Sequence, residues 1–169
     1  TPEAAKAAAF ASMMLVLGVV DLTDRLLPDP ITLGGTGTGL VLSLVLSLKP
    51  GVATFLAELG GRTLSPRVAS LAEAATGAGV GAATLYLVAE LYFRLRYREG
   101  MGLGDVKMMA LIGAFLGLAP AFWTLMLASV LGAVLGLLFI LVFRKGLTYE
   151  LPFGTFLAAA AILMVVWGP

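Results

Sequence analysis

The sequence predicts an all-α fold: a polytopic membrane helical bundle of about six transmembrane helices, forming one membrane-embedded domain over residues 1–169. Three observations carry this. The chain is 60% hydrophobic and only 12% charged, where an ordinary soluble domain holds about 25% charged residues. The apolar residues come in long runs, and residues 31–48 and 119–143 contain no charged side chain at all, each about the length that crosses a bilayer core. Those runs also lack the polar stripe of a water-facing helix. A net charge of +1 leaves no basic surface for nucleic acid, and that class of partner is set aside.

The apolar segments, in order, are 4–20, 31–48, 73–93, 106–118, 120–143 and 152–168. The first carries Lys6 ahead of its apolar stretch in the manner of a signal peptide, but it ends at Asp21 without a small-residue cleavage pattern. It is therefore read as a retained helix, and the chain, which opens on Thr1, as a fragment. The second begins behind Asp29-Pro30, the pattern of an N-cap followed by proline at the first helical position. The third is rich in small residues (Gly77, Gly79, Gly81), which let helices approach closely in lipid. The fourth is too short to stand upright across a bilayer, and is expected to be broken or tilted and packed behind other helices. Asp105 sits at its start as an N-cap candidate, and Pro120 marks the turn into the fifth. Segment 49–72, with GVATFLAELGG and RVASLAEA, is expected to hold an extra short helix.

Six spans place loops 21–30, 94–107 and 144–151 on one side. That side carries Arg25, Arg94, Arg96, Arg98, Lys107, Arg144 and Lys145; the other carries Lys6, Lys49, Arg62 and Arg67. Excess Lys and Arg mark the cytoplasmic side, so the loops bearing Asp21 and Asp105 face the cytoplasm together. The two share a side whichever way the protein is oriented.

There is no cysteine and no histidine. Cys-dependent and Ser-His-Asp chemistry and the usual zinc ligands are thereby excluded, so a hydrolase built from this inventory must rely on carboxylates, serine, lysine or tyrosine. Of the acids, Asp24 reads as a solvated loop partner of Arg25. Glu90, inside the third span, is either a functional ionisable group or the partner of Arg94 one turn on. Asp21 abuts the first span directly, and Asp105 follows Gly100, Gly102 and Gly104, a density of glycines that suits a backbone shaped to admit a substrate strand. Two such aspartates, if they met, would share a proton, because neighbouring like charges cannot both ionise cheaply. One would polarise a peptide carbonyl while the other activated water. Spacing alone does not bring positions 21 and 105 together.

Three stretches resemble the type IV prepilin peptidases, a family of GxGD membrane aspartyl peptidases. Asp21-Leu-Thr-Asp-Arg-Leu-Leu-Pro28-Asp29 resembles their first aspartate motif. Glu99-Gly-Met-Gly102-Leu-Gly104-Asp105-Val-Lys107 resembles their GxGD motif, and Pro152-Phe153-Gly154-Thr-Phe-Leu-Ala a third stretch in their last helix. All three fall in the family's order at the cytoplasmic ends of predicted spans. Pro152-Phe-Gly stands where presenilin-type proteases carry Pro-Ala-Leu, which argues against that branch.

The resemblance implies that Asp21 and Asp105 are the catalytic pair, with no metal and no cofactor needed for proteolysis. It implies prepilins or pseudopilins as substrates, entering laterally from the lipid bilayer and losing a basic leader on the cytoplasmic face of the bacterial inner membrane. Asp24, Asp29, Glu99 and Glu90 are then candidates to receive that basic leader. Gly102 and Gly104 shape the loop, and Lys107 anchors it or attracts acidic substrate groups. Many relatives also N-methylate the new N-terminus with S-adenosylmethionine, which makes that group an implied cofactor for a second activity. Their usual N-terminal cytosolic domain with paired cysteines is absent from this sequence. Two other classes stay open at this point: a small proton- or cation-coupled transporter using Asp21, Glu90 and Asp105, and a non-catalytic scaffold for pilin helices.

Overall fold

A computed structural model describes residues 1–61, 63–97, 102–143 and 152–167. Among these, seven helices and no strands form: α1 (Pro2–Asp24), α2 (Asp29–Ser43), α3 (Val52–Leu59), α4 (Pro66–Arg96), α5 (Leu103–Leu116), α6 (Leu118–Phe143) and α7 (Phe153–Trp167). Each predicted span corresponds to one helix, and the seventh, α3, is the short extra helix expected within 49–72. Among the described residues, three helices are long and apolar enough to cross a membrane, namely α1, α4 and α6; α7 is a shorter apolar helix.

The helix ends follow local chemistry more than hydropathy. α1 stops where Arg25 adopts a left-handed conformation (φ 55°) and its N–H bonds back to the Asp21 carbonyl, a single-bond C-terminal cap. α4 begins at Pro66, seven residues before its predicted apolar start at 73, and ends on left-handed Tyr97. Proline is favoured in a helix's first turn because its missing N–H has no partner there in any case. α2 ends at Ser43, short of the predicted 48; Lys49 precedes Pro50, which disfavours helix for the residue before it, and Leu48 N–H bonds instead to Ser70 Oγ at 2.9 Å.

Two capping expectations are corrected. Pro28 rather than Asp29 is the N-cap of α2, and Asp29 is its first helical residue. Gly102 rather than Asp105 is the N-cap of α5, with Asp105 inside the first turn. In both cases the acid is freed from capping its own helix to face a neighbouring one.

The bundle is held where small residues let helices touch. A Cβ added to Gly18 on α1 would lie 2.9 Å from Ala158 Cβ on α7. One added to Gly39 on α2 would lie 2.7 Å from the Phe115 ring on α5. α5 is the central helix: Met108, Met109, Leu111, Ile112, Ala114 and Phe115 are all buried. Burial of the apolar body of this helix among its neighbours is what its shortness requires. The periphery is apolar as well, with Leu87, Val134, Leu137 and Leu141 more than half exposed. Exposed apolar surface on this scale belongs in lipid.

Segment 49–59 is fastened from below by Glu73, which is 3% exposed. Its Oε1 accepts the N–H of Gly51 (2.9 Å), the N–H of Thr54 (2.9 Å) and the Thr54 hydroxyl (3.1 Å). α3 has no side-chain cap of its own, and Glu73 on α4 supplies one from outside.

Candidate active site

α1 runs toward one end of the bundle and delivers Asp21 in its last turn; α5 and α7 start at that same end. In the sequence, Asp21 stands as a loop residue at the rim of a span. The structure puts it inside α1, and puts Asp105 inside α5, leaving them 6% and 7% exposed.

The two carboxyls meet over a glycine. A Cβ built on Gly154 of α7 would lie 2.9 Å from Asp21 Oδ2 and 3.0 Å from Asp105 Oδ1. Both distances run from one point, so the two oxygens are less than about 6 Å apart, within the range over which one carboxylate responds to another's charge. Gly154 therefore holds the pair together by what it lacks. A side chain there would stand in the space the carboxyls occupy.

Asp21 is also hydrogen-bonded to α7. Thr155 N–H donates to its Oδ2 at 2.7 Å, and the Thr155 hydroxyl lies 3.1 Å from the same oxygen and 3.1 Å from the Gly18 carbonyl. The N–H groups of a helix's first turn have no partner within that helix, so Asp21 caps α7 from another helix. Thr155 falls within the stretch from Pro152 to Ala158 that carries the family resemblance, where only its place directly after Gly154 marks it for a role.

The remaining predicted residues sort by position. Lys107 Nζ pairs with Asp29 Oδ1 at 2.6 Å, tying α5 to the start of α2. This is the anchoring alternative for Lys107. Gly104 packs against Leu27, which a Cβ would meet at 2.9 Å, whereas a Cβ on Gly102 would meet only the Gly104 nitrogen, at 3.8 Å. Pro28 caps α2 and Pro152 leads into α7, both half-buried. Asp24 is exposed at the end of α1. Glu90 pairs with Arg94 Nε at 2.7 Å on the outside of α4. Glu99 and Gly100 lie outside the described residues. A cavity of about 630 Å³ opens at the opposite end of the bundle, lined by Lys6, Phe10, Lys49, Glu73, Phe115 and Trp123 among others. It is remote from the aspartates. Among the described residues no cluster of three or more acidic side chains forms a metal site.

The sequence profile of the type IV leader peptidase family matches residues 8–137, which is most of the chain and includes both aspartates. The chain belongs to the type IV leader peptidase family. Its relatives include a prepilin leader peptidase/N-methyltransferase of Pseudomonas putida, 34% identical over 155 residues, covering 92% of this chain and 47% of the relative. A protein of the same name from Aeromonas hydrophila is 33% identical over 156 residues, with the same coverage of each chain. Another, from Burkholderia pseudomallei (strain K96243), is 33% identical over 171 residues, covering 99% of this chain and 48% of the relative. The chain thus spans about half the length of these leader peptidases. No solved structure matches it.

Proposed function

We propose that this chain is the catalytic membrane portion of an aspartyl endopeptidase that removes the leader peptide from type IV prepilins or pseudopilins. The observation that carries the reading is the convergence of Asp21 and Asp105 on Gly154, from helices separated widely in sequence. The names borne by relatives supply the substrate class.

The reaction follows from two carboxyls sharing one proton. The ionised carboxyl takes a proton from a water molecule as its oxygen attacks the scissile carbonyl carbon. The protonated carboxyl donates to the carbonyl oxygen, giving a tetrahedral diol. The proton gained from water then passes to the leaving nitrogen as the C–N bond breaks, and a diol hydroxyl returns its proton to the other carboxyl. No covalent enzyme intermediate forms. Both carboxyls end as they began, having each been charged once and neutral once.

Orientation rests on charge. Arg25, Arg94 and Lys107 stand at the aspartate end, and with the basic residues of the adjoining segments they outnumber those at the other end, which favours a cytoplasmic site in a bacterial inner membrane. A substrate helix would enter laterally from lipid between α-helices packed through small residues. Its basic leader would be received by the exposed Asp24 or by acids nearby.

The relatives' names include a methyltransferase, for which S-adenosylmethionine is the implied methyl donor. That group would have to reach an amine freed at the aspartate end, and the cavity described above lies at the other end, so it does not fit the role. The mechanism contains no step through it.

The test is to incubate the purified protein in detergent with a prepilin and measure loss of the leader. Wild type cleaves, while Asp21→Asn and Asp105→Asn do not. Full-rate cleavage by either variant would overturn the assignment of the pair, and an inert wild type would return the transporter and scaffold classes to contention.

A further inference from the structure

The geometry points to Thr155 as a positioning residue for Asp21, whose hydroxyl partners that carboxyl in both of its protonation states. The inference rests on the aspartyl-peptidase reading above. Thr155 presents two donors to one oxygen, the peptide N–H at 2.7 Å and the hydroxyl at 3.1 Å from Asp21 Oδ2. The hydroxyl has a second acceptor at the same distance, the Gly18 carbonyl at 3.1 Å. A hydroxyl carries one hydrogen and two lone pairs, so it can donate to only one of these at a time.

The choice between them tracks the charge on Asp21. When Asp21 is ionised, the hydroxyl donates to Oδ2 and strengthens its hold through a charge-assisted bond. When Asp21 has gained a proton, the hydroxyl turns its hydrogen to the Gly18 carbonyl and presents a lone pair to the carboxyl. Only a hydrogen atom rotates; no heavy atom moves. Each carboxyl of an aspartyl pair is charged and neutral once per turnover, whichever begins as base. A partner able only to donate would hold Asp21 well in one state and badly in the other. Thr155 serves both, and it does so from α7, the helix whose Gly154 brings Asp105 to the same point.

The peptide N–H of Thr155 survives any side-chain change, so substitution isolates the hydroxyl. Thr155→Val keeps the branched shape and removes the hydroxyl; Thr155→Ser keeps the hydroxyl. Both are compared with wild type on a prepilin in detergent, reading kcat, KM and the thermal midpoint. Thr155→Val is expected to lower kcat on the order of tenfold, the scale of a lost bond to a charged group, with KM within about twofold of wild type and the midpoint within about 2 °C. Thr155→Ser recovers most of the lost kcat. The inference is overturned if Thr155→Val turns over at the wild-type rate, if Thr155→Ser is as slow as Thr155→Val, or if the loss follows the thermal midpoint, each of which leaves the hydroxyl with a packing role or none. Asp21→Asn and Asp105→Asn are assayed alongside. Full-rate cleavage by either of them, or none by wild type, defeats the peptidase reading itself and takes the Thr155 inference with it.

Discussion

Gly77 on α4 and Gly113 on α5 cross with their backbones in contact: a Cβ added to Gly77 would lie 2.5 Å from the Gly113 carbonyl oxygen. The obstruction is reciprocal, since a Cβ on Gly113 would press into the Gly77 carbonyl group. Backbone cannot swing aside as a side-chain tip does. α5 also carries Asp105, so this crossing fixes one of the two carboxyls relative to the long helix α4.

Gly113→Ala is accordingly expected to force α4 and α5 apart, at a cost of about 1–3 kcal/mol, the usual range for overpacking a filled interior. Both the thermal midpoint in detergent and the rate of leader cleavage fall. An unchanged midpoint would show that the two helices do not meet at this point.

Gly154→Ala separates stability from activity. The added methyl would stand 2.9 Å from Asp21 Oδ2 and 3.0 Å from Asp105 Oδ1, contacts that rotation of two side chains can relieve. The fold tolerates that adjustment, whereas the paired geometry does not. A displacement of about 1 Å at reacting groups costs on the order of a hundredfold in rate. Cleavage is therefore expected to drop by that order while the midpoint moves little. Retention of wild-type kcat by Gly154→Ala would separate this glycine from the chemistry.

The ion pair between Lys107 and Asp29 is part-exposed, with side chains 34% and 56% accessible, and such pairs contribute below about 1 kcal/mol. Its effect lies in placing α5 against α2. Lys107→Met and Asp29→Asn are expected to lower kcat/KM by similar factors, and the double variant to be no worse than either, the mark of coupled residues. If Lys107 instead attracted acidic substrate groups, Lys107→Met alone would raise KM while Asp29→Asn left it unchanged.

How far the sequence disclosed this arrangement depends on the signal each feature leaves. Both aspartates stand out because an acid at the edge of an apolar run is rare, and the family resemblance joins two residues that spacing could not. The buried position of α5 follows from its shortness alone. The start of α4 at Pro66 was hidden because its first turn, Pro66 to Ala69, includes Arg67, and hydropathy sees lipid-facing surface, not backbone hydrogen bonding. Asp29 and Asp105 look like caps in one dimension; in three, each is turned toward another helix. The roles of Thr155 and Glu73 leave no signal in the sequence for a related reason. A single polar group in an apolar run announces itself only through a partner, and their partners are 134 and 19 to 22 positions away.

Glu73 gives the last prediction, and it concerns the end of the bundle away from the aspartates. One carboxylate oxygen there holds two backbone N–H groups and a hydroxyl at the start of α3, and Gly51 sits so close that a Cβ would meet the carboxylate at 2.9 Å. Glu73→Ala removes the shared acceptor, and each buried donor left without a partner costs about 1–3 kcal/mol unless water replaces it. Because α3 is short and has no side-chain cap of its own, that cost falls on local opening of residues 49–61 before it reaches the bundle. Limited proteolysis should therefore cut Glu73→Ala within this segment faster than wild type, while kcat on a prepilin holds. A parallel fall in kcat would mean that α3 and the aspartate pair are coupled through α4, contrary to the separation the structure gives them.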